Sequence, residues 1–209
     1  MVKESKNTED EILKAAEEEF LNKGYDGAKT LSIAEAAGVT HAMLHYYFRT
    51  KENLFNKVFD AKVELLIQSV ISSFSRMDLP VLERLKAGIK AHFDFIAENP
   101  KLPRFIINEL VSKSDRRNLL SEHINAAFPL FMATLQKELD KEHARGSIEK
   151  INIIDLVLDI VSLNAFVFIL YPVIADFTDE HYGSKEKFFA ARRRENVKII
   201  MKRLKRKRI

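Results

Sequence analysis

Ten side chains between Lys29 and Lys51 have the types and the spacing needed to bind a nucleic acid. Imidazole, hydroxyl and small apolar groups can contact base edges, and ammonium and phenol groups can bond sugar-phosphate oxygens. We expect the N-terminal end of the second helix described below to reach base edges, and Tyr47 and Lys51 to lie nearer the phosphates. The candidate residues are Lys29, Thr30, Thr40, His41, Ala42, Met43, His45, Tyr46, Tyr47 and Lys51.

Two of these residues, His41 and His45, also have the four-residue spacing of a zinc pair on a helix. No Glu follows His41, the chain contains no Cys, and the sequence points to no third ligand. We therefore predict neither a metal site nor a cofactor. The two histidines are interpreted as facing bases or phosphates, with simple surface exposure as the alternative.

Motifs for catalysis are missing from the sequence. It contains no Walker loop, no G-x-S-x-G, no H-E-x-x-H and no dinucleotide-binding glycine set. His92 with Asp94, and Asn108 with Glu109, could be imagined as acid–base pairs. Such neighbours on helices are more often solvated or hydrogen-bonded polar groups, so we predict that the chain is not an enzyme.

The candidate residues are positioned by two short predicted helices joined by a tight turn. The first runs from about Leu31 to Ala37 with Thr30 as its N-cap, and Gly38 follows where a helix usually stops. Thr40 caps the second helix, Thr40 to Phe48, whose Leu44 and Phe48 point back to the core. An apolar-backed helix with a polar and aromatic outer face after a glycine turn has the proportions of a helix-turn-helix recognition unit.

At this point the sequence resembles the N-terminal domain of TetR/AcrR-type transcriptional regulators over about residues 10 to 60. The sequence departs from the family pattern near the first short helix, where Ala28 and Lys29 stand in the region of a Ser or Thr phosphate ligand. The resemblance implies that Lys29 replaces a hydroxyl contact with a charge. The shared features are Gly24-Tyr25, Ile33-Ala34, Ala37-Gly38-Val39, Leu44, Tyr46-Tyr47-Phe48, and Lys51-Glu52 followed by Leu54.

Bulk charge adds little to the nucleic-acid interpretation. The formal net charge is +4, but residues 192–209 alone hold ten Lys or Arg and one Glu, so the remainder of the chain is net acidic. The basic tail, Lys202 to Arg208, is better explained as a solvated helix end than as a second nucleic-acid contact. The prediction of DNA binding therefore depends on the motif.

Helical patterns continue along the rest of the chain, with no hairpin signal and no sustained alternation. We predict an all-α protein of about nine helices: a helix-turn-helix domain at residues 1–50 and a larger helical effector-binding and dimerisation domain at residues 51–209. A helix from Thr50 to about Arg76 would couple the two domains. Residues 1–7 are expected to fray, Gly24 to end the first helix, and Pro129 to kink or break the helix from Asp115 to Arg145.

The segment from Ile151 to Ile174 is the most apolar part of the chain. Asp155, Asp159 and Asn164 interrupt it, so we expect a helix buried between neighbours and a second subunit rather than a membrane span. We predict a cytoplasmic homodimer that forms through the last two helices and does not enter a membrane. The absence of Cys fits a reducing compartment.

Aromatic side chains concentrate in the predicted larger domain, where a helical bundle can enclose an apolar pocket. An ordinary packed core explains the same aromatics equally well. The resemblance implies a pocket for a small-molecule effector, and the candidate polar lining is His92, Asn108, His123, Asn164 and Tyr171.

Together these features predict a regulator that binds a palindromic DNA operator as a homodimer and is released by a small-molecule effector. Repression is the outcome that the resemblance implies. The competing interpretation is a helical ligand-binding or interaction protein that does not recognise a DNA sequence.

Overall fold

A computed structural model describes residues 2–112 and 114–205, with side chains omitted for residues 2–7 and 112. This part of the chain forms nine α-helices and no strand, which confirms the all-α prediction. The helices are α1 (Val2–Gly27), α2 (Thr30–Ala36), α3 (His41–Phe48), α4 (Lys51–Ser73), α5 (Val81–Glu98), α6 (Leu102–Ser112), α7 (Ser114–Ala144), α8 (Ile153–Tyr182) and α9 (Lys185–Leu204).

Several helix ends differ from the sequence prediction. Helix α1 begins at Val2, so residues 2–7 are helical rather than frayed. Gly24 interrupts this helix with a φ of 67°, as predicted, but a further turn continues to Gly27. Helix α7 runs through Pro129 without a break, and α8 extends to Tyr182 because Gly183, in the left-handed conformation, provides its C-cap.

The chain divides into two compact units that do not follow a single cut in the sequence. One unit contains the chain up to Leu65 together with Arg104–Ser121, and the other contains Leu66–Pro103 and the chain from Glu122 onward. Helices α4 and α7 each contribute residues to both units. The boundary at residue 50, which would separate a DNA-binding domain from an effector-binding domain, remains a prediction.

The first unit has an aromatic core to which α6 and the start of α7 contribute. The rings of Phe20 and Phe55 meet edge to face with centroids 4.8 Å apart, and Phe59 lies 5.9 Å from Phe105 of α6. The guanidinium of Arg116, on α7, lies 4.6 Å from the centroid of the Phe55 ring. Cation–π attraction and buried apolar area therefore hold α6 and the start of α7 in the same unit as α1 and the first part of α4.

The second unit is built on contacts among α5, α8 and α9. Its larger apolar cluster includes Leu85 and Ile89 of α5, Leu156 and Ile160 of α8, and Ile200 of α9. A smaller aromatic cluster joins the same three helices, and its rings are Phe93, Phe95, Phe168, Tyr171, Phe188 and Phe189.

Candidate nucleic-acid interface

The turn between α2 and α3 is closed by backbone hydrogen bonds that require a glycine. Gly38 has a φ of 67°, a region in which other residues carry a Cβ penalty. The amide of Gly38 donates to the carbonyl of Glu35 at 3.1 Å, and the amide of Val39 donates to that of Ala34 at 3.0 Å. These bonds fix the angle at which α3 leaves α2.

Thr40 caps α3 as predicted, because its hydroxyl accepts a hydrogen bond from the amide of Met43 at 3.2 Å. The predicted cap of α2 is wrong. Lys29 occupies the N-cap position without a side-chain cap bond, and Thr30 is the first helical residue. The Thr30 hydroxyl instead lies 3.0 Å from Nε2 of His41, so it connects the two helices across the turn.

His41 and His45 lie side by side on the exposed face of α3. Their rings meet edge to face with centroids 4.4 Å apart. Nδ1 of His45 lies 3.0 Å from the carbonyl oxygen of Arg49. Both side chains keep contacts within their own unit and remain solvent-exposed, while Leu44 and Phe48 of the same helix are buried. The exposed histidines are therefore held in fixed orientations.

The C-terminal end of α3 carries two tyrosines and a cation. Tyr46 is 70% exposed, and its ring lies 5.5 Å from that of the less exposed Tyr47. The guanidinium of Arg49 lies 5.9 Å from the Tyr46 ring centroid, and Arg49 ends the helix with a φ of 63°. Arg49 was not among the candidate residues, although it is a basic residue directly after the helix that carries most of them.

The two candidate lysines flank α2 and α3. Lys29 is exposed, and its backbone amide donates to Glu19. The ammonium of Lys51 lies 4.7 Å from the ring centroid of Tyr25 and 3.5 Å from the carbonyl oxygen of Asp26. Lys51 is thus positioned by the end of α1. Ala42 and Met43, the apolar candidates, are exposed.

The structure also bears on the possibility that His41 and His45 bind zinc. Among the residues that the structure describes, no group of three or more His, Cys, Asp or Glu side chains could hold a metal ion.

Two of the five predicted ligand-binding residues meet in the second unit. Nδ2 of Asn164 donates to the carbonyl of Ile89 at 2.9 Å and lies 3.2 Å from Nδ1 of His92. Oδ1 of Asn164 accepts from Nδ2 of Asn196 on α9, and Oδ1 of Asn196 accepts from Arg192. Burial lowers the pKa of His92 to about 4, so the ring is neutral near pH 7.

The other three ligand candidates lie elsewhere. Asn108 is exposed on α6 and belongs to the first unit. His123 is half-buried on α7. The hydroxyl of Tyr171 donates to the carboxylate of Asp179 on the same helix, at 2.9 Å from Oδ2. The described bonds thus join His92 to Asn164.

Part of the first unit matches a known protein family. Residues 12–58 match the family model described as bacterial regulatory proteins, tetR family. The chain is 33% identical over 104 residues to the HTH-type transcriptional activator FasR of Mycolicibacterium smegmatis, an alignment that covers 49% of this chain and 47% of FasR. It is 29% identical over 147 residues to the HTH-type transcriptional regulator YdgC of Bacillus subtilis, covering 66% of this chain and 75% of YdgC. The chain thus spans about half the length of FasR.

Solved structures share the whole fold. A transcriptional regulator of Streptomyces coelicolor, SCO4942, superposes with a TM-score of 0.68 at 21% identity, covering 94% of this chain and 98% of that one. The TetR family regulator PfmR of Thermus thermophilus gives a TM-score of 0.64 at 17% identity, covering 94% and 96%. The family model and these relatives describe regulators rather than enzymes. The match over residues 12–58 therefore assigns this segment to the tetR family of bacterial regulatory proteins.

Proposed function

We propose that this protein is a DNA-binding transcriptional regulator that inserts α3 of each subunit of a homodimer into the major groove of a palindromic operator. The observation that carries the proposal is the division of α3 into two faces. Leu44 and Phe48 anchor one face in the core, and the other exposes His41, His45 and Tyr46. A short helix exposed in this way fits the major groove.

Cations around α3 would supply the phosphate contacts that position it. Lys29, Arg49 and Lys51 flank the helix, and Tyr47 adds a hydroxyl. Such contacts fix the register of a protein on the duplex without reading its sequence. The competing interpretation, a carrier that no longer recognises DNA, leaves the exposed and mutually ordered histidines without a partner.

The dimer is proposed to form through α8 and α9. Exposed apolar side chains recur along α8 at spacings of four, seven and eight residues, and this periodicity places them along one side of the helix. Helix α9 adds the partly exposed Ile199. A contiguous apolar stripe of this kind is typical of an interface between subunits. The stripe consists of Ile154, Leu158, Phe166, Val173 and Phe177.

By length and composition, α8 could also cross a membrane, and it is the one such helix in the described chain. Two observations favour the subunit interface. Asn164, in the middle of the helix, is fully buried within the second unit. Asp159, on the same helix, forms an ion pair with Arg203 of α9. We therefore place the protein in the cytoplasm, where its DNA partner is.

An effector is proposed to bind in the second unit beside His92 and Asn164. Because the amide of Asn164 can only donate through Nδ2, Nδ1 of His92 is the acceptor and Nε2 carries the proton. That Nε2–H group is buried and has no hydrogen-bond partner in the structure. A buried donor of this kind stabilises a bound acceptor strongly, so it could hold a carbonyl or carboxylate of the effector. An effector that binds the DNA-free state more tightly would release the operator.

The experiment is a gel-shift titration of an operator obtained by selection. The double variant His41→Ala, His45→Ala should bind the operator at least tenfold more weakly than the wild type, since two ordered contacts to the groove are lost. Its melting temperature should be nearly unchanged, because both side chains are exposed. Unchanged operator binding would exclude these histidines from the interface.

The sign of regulation is tested separately. We propose repression, and FasR, the relative from M. smegmatis, is named an activator. A reporter gene placed downstream of the selected operator should be silenced when the protein is expressed. Increased reporter expression would identify an activator.

A further inference from the structure

We infer that α3 reads an A·T base pair, with Nε2 of His45 accepting a hydrogen bond from the adenine N6 amine while Ala42 and Met43 contact the thymine methyl group. This inference rests on the proposed function, because it names the bases that the same helix would read.

The hydrogen bond of His45 decides which base group it can recognise. Its Nδ1 lies 3.0 Å from the carbonyl oxygen of Arg49. A carbonyl oxygen can only accept, so Nδ1 must carry the proton of the neutral imidazole. Nε2 then holds the lone pair and is an acceptor.

Because Nε2 of His45 is an acceptor, it cannot make the commonest major-groove contact, which is a hydrogen bond to guanine. N7 and O6 of guanine are themselves acceptors and cannot pair with this nitrogen, whereas the exocyclic amines of adenine and cytosine can donate to it. The apolar side chains of α3 distinguish between these two amines.

The turn of α3 before His45 carries two exposed apolar side chains. Ala42 is one helical turn before His45, and Met43 follows Ala42; both side chains are exposed. The Thr40 hydroxyl accepts a hydrogen bond from the amide of Met43, and Nε2 of His41 lies within hydrogen-bond distance of Thr30. An A·T pair displays the N6 amine and the thymine methyl in the same groove, whereas a G·C pair has no methyl group. The combination of acceptor and apolar groups therefore matches A·T.

Base analogues test this inference without changing the protein. In the selected operator, each deoxyadenosine is replaced in turn by 2′-deoxynebularine, which lacks the N6 amine, and each thymidine by deoxyuridine, which lacks the methyl group. Binding is measured by fluorescence anisotropy. For the wild type we expect a loss of roughly two- to tenfold at one adenine of each half-site and roughly fourfold at a neighbouring thymine.

Protein variants assign each effect to a side chain. His45→Ala should abolish the nebularine effect and keep the deoxyuridine effect, and Met43→Ala should do the reverse. Lys29→Ala is the control, because a phosphate contact should weaken all duplexes equally and keep both effects. Melting temperatures equal to the wild type show that the variants fold.

The outcomes separate this inference from the proposed function. Tight operator binding with no analogue effect, or effects that survive in both variants, would overturn the inference and leave sequence-specific DNA binding intact. Selection that enriches no DNA sequence would overturn both.

Discussion

Two histidines with opposite hydrogen-bond roles show how single contacts set chemical function. At the surface, Nδ1–H of His45 donates a hydrogen bond to the carbonyl oxygen of Arg49, and Nε2 is left as an acceptor. In the second unit, Nδ1 of His92 accepts from Asn164, and the proton lies on Nε2. The partner of one ring nitrogen thus fixes what the other nitrogen can bind.

The burial of His92 makes folding stability depend on pH. Its folded pKa of about 4 lies below the ordinary value of 6.5, so the unfolded chain binds more protons between these two values. The stabilisation is complete above about pH 6.5 and is lost as the pH falls toward 4. Between pH 7 and pH 5 the wild type should lose about 2 kcal/mol of unfolding free energy through this group.

Urea unfolding of the wild type and of His92→Gln measures the effect, because glutamine keeps an acceptor for Asn164 but does not titrate. The variant should lack this part of the pH dependence. Equal pH dependence in the two proteins would mean that His92 is not buried in its neutral form.

Helix α3 and its turn were predictable because their signals are local. The glycine turn, the Thr40 cap and the spacing of Leu44 and Phe48 all lie within a dozen residues, and the structure agrees with each. Thr30 was misplaced because its hydroxyl serves a neighbouring helix instead of its own backbone. Whether the Thr30 hydroxyl caps α2 or bonds His41 depends on how α2 packs against α3. The sequence of α2 alone does not determine that packing.

Contacts between distant parts of the chain could not be predicted from periodicity. Arg116 is buried on α7, where it donates to Glu52 and Asn56 of α4 and lies over the Phe55 ring. No spacing within α7 distinguishes it from Arg117, which is exposed. The hydrogen bond between His92 and Asn164 likewise joins residues 72 positions apart.

A close approach at Gly88 in α5 yields a prediction about packing. A Cβ at this position would lie 2.3 Å from the ring of Phe74, which is itself buried. Gly88→Ala should therefore lower the unfolding free energy by about 1–3 kcal/mol despite the better helix propensity of alanine. Chemical denaturation measures the change.

Two further variants test the cause. Phe74→Leu should be less harmful in the Gly88→Ala background than in the wild type, because it removes the clashing ring atoms. Gly27→Ala, whose Cβ would lie 3.3 Å from that of Lys23, should change stability by less than about 1 kcal/mol. A fully stable Gly88→Ala protein would contradict the close approach.

For the whole molecule, the exposed apolar stripe of α8 is the feature that a single subunit leaves unexplained. Val173 is 80% exposed and Phe166 is 59% exposed. A second copy of the chain would bury both residues, and dimerisation would place two copies of α3 on one duplex. The same symmetry would require a palindromic operator.

Charge placed in the stripe should disrupt the dimer. The double variant Phe166→Glu, Val173→Glu should sediment as a monomer at concentrations where the wild type is a dimer, because two carboxylates would be buried without partners. Leu130→Glu, at an 81% exposed residue of α7, is the control and should remain dimeric. A dimeric double variant would place the interface elsewhere.

Selection of binding sites from random DNA duplexes tests the central claim most directly, namely that two copies of α3 read DNA together. The account predicts enrichment of an inverted repeat whose half-site centres are about 34–36 Å apart, or a multiple of that distance. The His41→Ala, His45→Ala variant should fail to enrich it. Enrichment of no sequence, or of a single unrepeated motif, would contradict the account.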